Sequence, residues 1–219
     1  EGANVIIVAG CGIHNDGCND SRHDGIPAFH VGKNANVTYA DKHYGEGEGT
    51  GEKILNPVTQ IYLEEGAVFT LDTAQIGGVD STVRKTEVYM EADSKLYVME
   101  KLMTHDSQTA VSDMTVEMNG AGSSAQIVSR SVAKGNSVQT FHPIAIGNAL
   151  CHAHVQCDSI IMDKAQISSI PEINARDIDA QIIHEAAIGR INNEQILKLR
   201  TFGMTEEEAE AVIIEDFLA

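Results

Sequence analysis

From about residue 34 to about residue 188 the chain repeats one idea: a small or polar turn, then a short β-prone run. The runs are "KNANVTY", "EEGAVFTLDTA", "TEVYMEADSKLYVMEKL", "NGAGSSAQIVSRSVAKGNSVQTFHPIAIGNALCHAHVQC", "DKAQISSIPEI" and "IDAQIIHEAAI". In the second half the starts "AQIV", "SVQT", "CHAH", "AQIS" and "AQII" recur about every 12–14 residues. Short strands with such regular punctuation predict an all-β sandwich, barrel or solenoid. Small turn residues and few aromatics favour the solenoid. The expected core is a right-handed parallel β-helix, with a β-sandwich as the alternative.

The segment before this, "GCGIHNDGCNDSRHDGIPAFHVGKNA", reads as loops around a few strands, and "HYGEGEGTGEK" (43–53) as a long loop, too Gly-rich and charged to pack. After about residue 190 the period becomes helical. In "NNEQILKLRTFG", Ile196, Leu197 and Leu199 fall on one side, with Asn192 as N-cap and Gly203 as terminator. In "MTEEEAEAVIIEDFLA", Thr205 and Glu208 form a capping box, and Ala209, Val212, Ile213 and Phe217 make an apolar stripe. Such a hairpin is too small to fold alone and must dock on the β body or on a partner. The expected division is a β core over 1–190 and a C-terminal α-helical hairpin over 191–219. The chain opens inside the strand-like "ANVIIVAG", which suggests that an N-terminal part of the protein precedes it.

Composition narrows the function classes. Hydrophobic residues make up 42% of the 219 positions but aromatics only 5%, with no Trp, so aliphatic and small side chains must fill the core. The net charge of −17 repels phosphate backbones and anionic lipid, so neither nucleic acid nor membrane is an expected partner. Few aromatics also argue against a β-helical enzyme acting on carbohydrate. Four cysteines do not make a secreted disulfide framework, which points to a cytoplasmic protein with free thiols. No G-x-x-x-x-G-K-[ST] phosphate loop is present; "GEGEGTGEK" carries too many carboxylates to cradle phosphate.

Two stretches carry candidate chemistry. In "CHAHVQCDSIIM" (151–162), strand alternation puts Cys151, Ala153, Val155 and Cys157 on one face and His152, His154, Gln156 and Asp158 on the other. The cysteines share an apolar face, which is consistent with small core residues. The H-x-H spacing of His152 and His154 leaves open a metal-dependent, cupin-like or β-helical enzyme. In "IIHEAAIGRI", His184 and Glu185 sit in an apolar run where burial without partners is costly. Steps of about 14 residues lead from Glu185 through Pro171 to Cys157, which would place 157 and 185 in one row two coils apart, at about 10 Å.

At these residues the chain resembles a known family. "HVQCDSIIM", "SSIPEI", "IIHEAAIGRI" and "LKLRTFGMTEEEAEAVIIEDFL" resemble the C-terminal half of the SufB/SufD proteins, the scaffolds of SUF iron–sulfur cluster assembly. "HVGKNANVTYADKHYGEGEGTGE" and "GGVDSTVRKTEV" look like the earlier part of the same core, in the short form of minimal SUF-like systems. The resemblance implies a parallel β-helix with a C-terminal helical segment, dimerisation of two such cores, and a SufC-type ABC ATPase docked on the helices. It implies a non-enzymatic scaffold that holds a transient iron–sulfur cluster, supplied by a sulfur donor and passed to acceptor proteins, with ATP bound only by the partner ATPase. It also implies Cys157, His184 and Glu185 as the cluster and metal ligands. One chain carries all three, which is what a homodimeric scaffold would need. Larger members receive sulfur on an additional cysteine in an earlier coil. This chain has none between Cys18 and Cys151, and Cys11 and Cys18, the possible substitutes, read as loop residues.

Overall fold

A computed structural model describes residues 1–219. In chain order the strands are β1 (Asn4–His14), β2 (Ser21–His23), β3 (Ala28–Val31), β4 (Asn36–Glu46), β5 (Lys53–Leu55), β6 (Val58–Leu63), β7 (Val68–Gln75) and β8 (Ser81–Met90). They continue with β9 (Lys95–Thr104), β10 (Thr109–Met118), β11 (Ser123–Ala133), β12 (Val138–Gly147), β13 (Cys151–Ile161), β14 (Gln166–Ser169), β15 (Glu172–Ala175) and β16 (Gln181–Gly189). Two helices follow, α1 (Asn193–Thr201) and α2 (Glu206–Leu218).

All strand pairs are parallel. One sheet runs β1-β4-β7-β9-β11-β13-β16; the other is built on β14-β12-β10-β8-β5-β2, with β3, β6 and β15 completing it. The chain alternates between the two sheets, so this is a β-helix of about six turns and not a sandwich. The 12–14-residue spacing in the sequence is therefore half a turn. A full turn advances the register by 27 to 32 residues, as Asn36↔Val68 and Val68↔Lys95 illustrate.

The corners fix this geometry. Asn34, Gly66, Asp93 and Gly122 stand at equivalent positions of successive turns, all left-handed, at φ 56°, 69°, 56° and 79°. Asp106, Gly135 and Asp163 form a second such column, at 52°, 73° and 54°. Only Gly, Asn and Asp take that conformation readily. Their alternation is steric: a Cβ on Gly66 would collide with Asn34 Oδ1, and one on Gly122 with Asp93 Oδ1.

Inside the coil, in-register stacking turns each inward position into a row. Val37, Phe69, Leu96, Ala125, Ala153 and Ile182 form one row; Tyr39, Leu71, Val98, Ile127 and Val155 form the next. Both belong to a core of 22 buried residues or pack against it. The two following rows change character. One reads Asp41, Thr73, Glu100, Ser129, Cys157; the other His43, Gln75, Leu102, Ser131, Ser159. The interior is thus apolar along one side and polar along the other for its full length.

The helices begin and end as their sequence directs. Asn192 caps α1, and Thr205 with Glu208 makes the reciprocal capping box of α2. Gly203 sits between them at φ 96°. The face of α2 that docks on the solenoid differs from the expected stripe: Ile214, Phe217 and Leu218 pack with Val132 and Met162, Ala209 is buried, but Val212 faces outward, and Arg130 donates to the Phe217 carbonyl at 3.2 Å. Leu197, Phe202 and Val212 stay exposed. No helix is long and apolar enough to cross a membrane.

The corner column makes a stability prediction. Gly122→Ala should lose about 1–2 kcal/mol from the left-handed backbone, lowering Tm by roughly 2–8 °C. Gly77→Ala, where a Cβ meets nothing within 4 Å, should leave Tm unchanged in the same thermal melts.

Candidate functional site

The last complete turn and β16 bring together two of the three expected ligands. Cys157 pairs in register with Ala186, and Val155 with His184, so the two strands are direct neighbours. This corrects the expectation that 157 and 185 stand two coils apart with Pro171 between them; a turn takes about 28 residues, not 14, because it crosses both sheets. Cys157 Sγ lies 3.2 Å from His184 Nε2. His184 occupies the place that Tyr39, Leu71, Val98, Ile127 and Val155 hold on earlier turns. Its ring therefore replaces an aliphatic side chain where the stack ends and the interior opens.

Glu185 leaves β16 on the opposite face. It is in register with Gln156, its side chain is 65% exposed, and its Oε2 lies 3.4 Å from His154 Nε2. His152 is exposed on the same outer face. The structure thus brings Cys157 to His184 on the inside and Glu185 to His154 on the outside; it does not gather Cys157, His184 and Glu185 at one point within a single chain.

The two cysteines of β13 share the inward face but not the same surroundings. Cys151 fits against Gly147, where a Cβ would come within 2.8 Å of its sulfur, and Ala180 lies beside it. Cys157 ends the polar row, in a narrow cleft with Glu100, Ser112, Ser129 and Ser169. Burial pushes its thiol up to about 11; Ser169 opposes this by hydrogen bonding, while Glu100 and Asp158 add to it. Burial, and then the neighbouring His154, lower His184. Near neutrality the pair is therefore a protonated thiol beside a neutral imidazole, and the S–H donates when Nε2 is free of its proton. A soft metal centre at this sulfur must displace that proton.

Upstream of Cys157 the polar row holds a buried network that the strand pattern did not single out. Glu100, 2% exposed, accepts from Ser112 at 2.8 Å and lies 3.4 Å from Arg84 Nη1 and from Ser129 Oγ. Arg84, 4% exposed, donates to Thr73 and to His43 Nδ1, both at 3.0 Å. The signal lay in "TYADKHYG", whose inward positions alternate as Tyr39, Asp41 and His43. Reading 43–53 as one loop hid it, since β4 runs to Glu46 and His43 is buried. Cys11 likewise lies in β1, facing inward beside Ile13 and opposite His43, and not in a loop; Cys18 is exposed outside the strands.

Comparison with known proteins gives a consistent picture. A family model described as "SUF system FeS cluster assembly, SufBD core domain" matches residues 1–217. An iron–sulfur cluster assembly SufBD family protein of Methanocaldococcus jannaschii is 28% identical over 86% of this chain and 60% of its own length. One of Archaeoglobus fulgidus is 29% identical over the whole chain and 58% of its own length. One of Pyrococcus horikoshii is 30% identical over 91% of the chain and 60% of its own length. The chain thus spans about three-fifths of the length of these curated relatives.

The thiol–imidazole pair sets a pH dependence. In a Cys11→Ser/Cys18→Ser background, binding of Cd²⁺ at Cys157 should strengthen about tenfold per pH unit near neutrality, because one proton leaves the thiol and none leaves the neutral ring. Isothermal titration at several pH values checks this. A flat profile would mean the thiolate already exists without metal.

Proposed function

The chain belongs to the SufBD family of iron–sulfur cluster assembly proteins, and we propose that it is a scaffold on which a nascent cluster is held at the interface between two copies. The observation that carries this reading is the Cys157–His184 contact at the open end of the solenoid. A soft thiolate anchors iron–sulfur species well, whereas imidazole and carboxylate hold them less firmly. Such mixed ligation suits a centre that must be released as well as held.

Dimerisation supplies what one chain lacks. Beyond β16 no further strand of its sheet follows, so one row of its backbone N–H and C=O groups is unpaired. Ile183 and Ile188 are exposed on it. A second copy seated on this edge would cover those groups and bring a second Cys157–His184 pair close to the first. Glu185, on the outer face with His154, then serves as a ligand given across the interface. No hydrolysis or redox catalysis by this chain is part of the proposal. ATP is turned over by a SufC-type ABC ATPase that docks on the exposed Leu197, Phe202 and Val212 of the helical hairpin. Sulfur comes from a donor protein, the finished cluster goes to acceptor proteins, and the compartment is the cytoplasm.

Anaerobic reconstitution with ferrous iron and sulfide tests the site. The wild-type dimer should acquire sulfide-bound iron and visible absorption, and Cys157→Ser should acquire neither while remaining folded. Cys151→Ser is the control and should reconstitute; His184→Ala and Glu185→Ala should assemble less. Normal assembly by Cys157→Ser would refute the assignment, as would a strict monomer by light scattering of the full-length protein with and without its ATPase.

The docking surface is tested separately. Leu197→Glu/Phe202→Glu replaces two side chains that touch little of the solenoid, so the circular dichroism spectrum should stay unchanged. Capture of the ATPase should fall at least about tenfold, as expected for the loss of two central apolar contacts. Undiminished capture would place the ATPase elsewhere.

A further inference from the structure

On β1 and β4 the polar interior holds a second group of side chains with metal-binding chemistry. Cys11 on β1 is in register with His43 on β4, and Asp41 lies two residues earlier on the same inward face. The thiol, a carboxylate oxygen and an imidazole nitrogen of these three all lie within 4.8 Å of one another. A tetrahedral ion with bonds of 2.0–2.3 Å sets its ligand atoms about 3.5 Å apart, so small side-chain rotations would close the group around one ion.

Two features point to something that belongs there. Asp41 is 7% exposed and His43 2% exposed, yet Asp41 Oδ1 and His43 Nε2 have no hydrogen-bond partner. The Asp41 Oδ2 contact to Nε2, at 2.8 Å, is out of line with the ring N–H. Unpartnered buried polar atoms are costly. Charge gives the second. The carboxylates of Asp41 and Glu100 share this interior with one permanent cation, Arg84, leaving one negative charge in surplus. A divalent ion that displaces the Cys11 proton adds two positive charges and one negative, and the interior becomes neutral.

We propose that Cys11, Asp41 and His43 bind one divalent transition ion of borderline softness, Zn²⁺ or Fe²⁺, with the fourth position open. Thiolate, imidazole and carboxylate together suit such ions better than Mg²⁺ or Ca²⁺. Cys11 is only half-buried. At present Arg84 donates to Nδ1 of His43, so the ring proton sits on Nε2. Coordination through Nε2 moves that proton to Nδ1, on the side of the ring that Arg84 Nη2 now contacts. Arg84 then turns to Thr73 and Glu100, which it already reaches at 3.0 and 3.4 Å. One proton is released in all, from the Cys11 thiol. This site is separate from the Cys157–His184 pair and does not depend on the cluster-scaffold reading.

The test is titration of the metal-free 219-residue chain with Co²⁺, followed by thiolate-to-cobalt charge-transfer absorption, in a Cys157→Ser/Cys18→Ser background that leaves Cys11 as the sole metal-accessible thiol outside the packed Cys151. One equivalent should bind with the charge-transfer band. Adding Cys11→Ser should abolish the band, and adding His43→Gln or Asp41→Asn should weaken binding at least about tenfold. Zn²⁺ should raise Tm in the parent background and leave it unchanged once Cys11→Ser is added, which separates lost ligation from lost folding. No charge-transfer band in the parent background, or a band that survives Cys11→Ser, would overturn the proposal.

Discussion

In-register parallel stacking is the constraint on which everything else rests. Strands about 4.8 Å apart leave no room for a side chain to choose its neighbours; each inward residue sits on the residue one turn below. A turn must therefore close at the same place every time, and the left-handed corner residues enforce that. Asn34, Gly66, Asp93 and Gly122 alternate because the side chain of one fills the space over the hydrogen of the next. Insertions are taken up elsewhere, which is why register steps vary between 27 and 32 residues while the rows stay intact.

Stacking also explains how the molecule tolerates so much buried polarity. A lone Glu100 or Arg84 in a globular core would be expensive. In a solenoid, each polar inward residue has a partner position directly above and below, so one polar residue favours another in the same row. Thr73, Ser129 and Ser131 continue the rows of Asp41 and His43, and Arg84 donates to Thr73 and His43 from the facing sheet. The apolar rows through Val37 and Tyr39 supply the burial that holds the coil shut.

The ends of the rows are where chemistry is exposed. Within the stack, every inward group is covered on both sides; on β16, the last strand before the helices, it is covered on one. Cys11 on β1 and Cys157 on β13 both lie on the polar side, each beside a histidine that the neighbouring turn places there. Cys151, on the same strand as Cys157, lies in the apolar half and meets Gly147 and Ala180 instead. The difference between the two thiols is one of row and not of strand face.

The sequence by itself determined the secondary structure class, the solenoid reading and both helix starts, because alternation, left-handed turn residues and capping boxes are local. Asn192, Thr205 and Glu208 act where they were expected to. It also singled out Cys157, His184 and Glu185, through motif resemblance. The tertiary structure alone decided the length of a turn, since a 14-residue repeat is compatible with a full-turn or a half-turn period until the second sheet is seen. Being half a turn, it made Cys157 and His184 neighbours on adjacent strands and sent Glu185 to the outer face with His154. It alone revealed that Asp41, His43, Arg84 and Glu100 meet, because they come from three strands on two sheets and no local pattern links them. Alternation says which residues point inward; only the register of the stack says what each of them meets there.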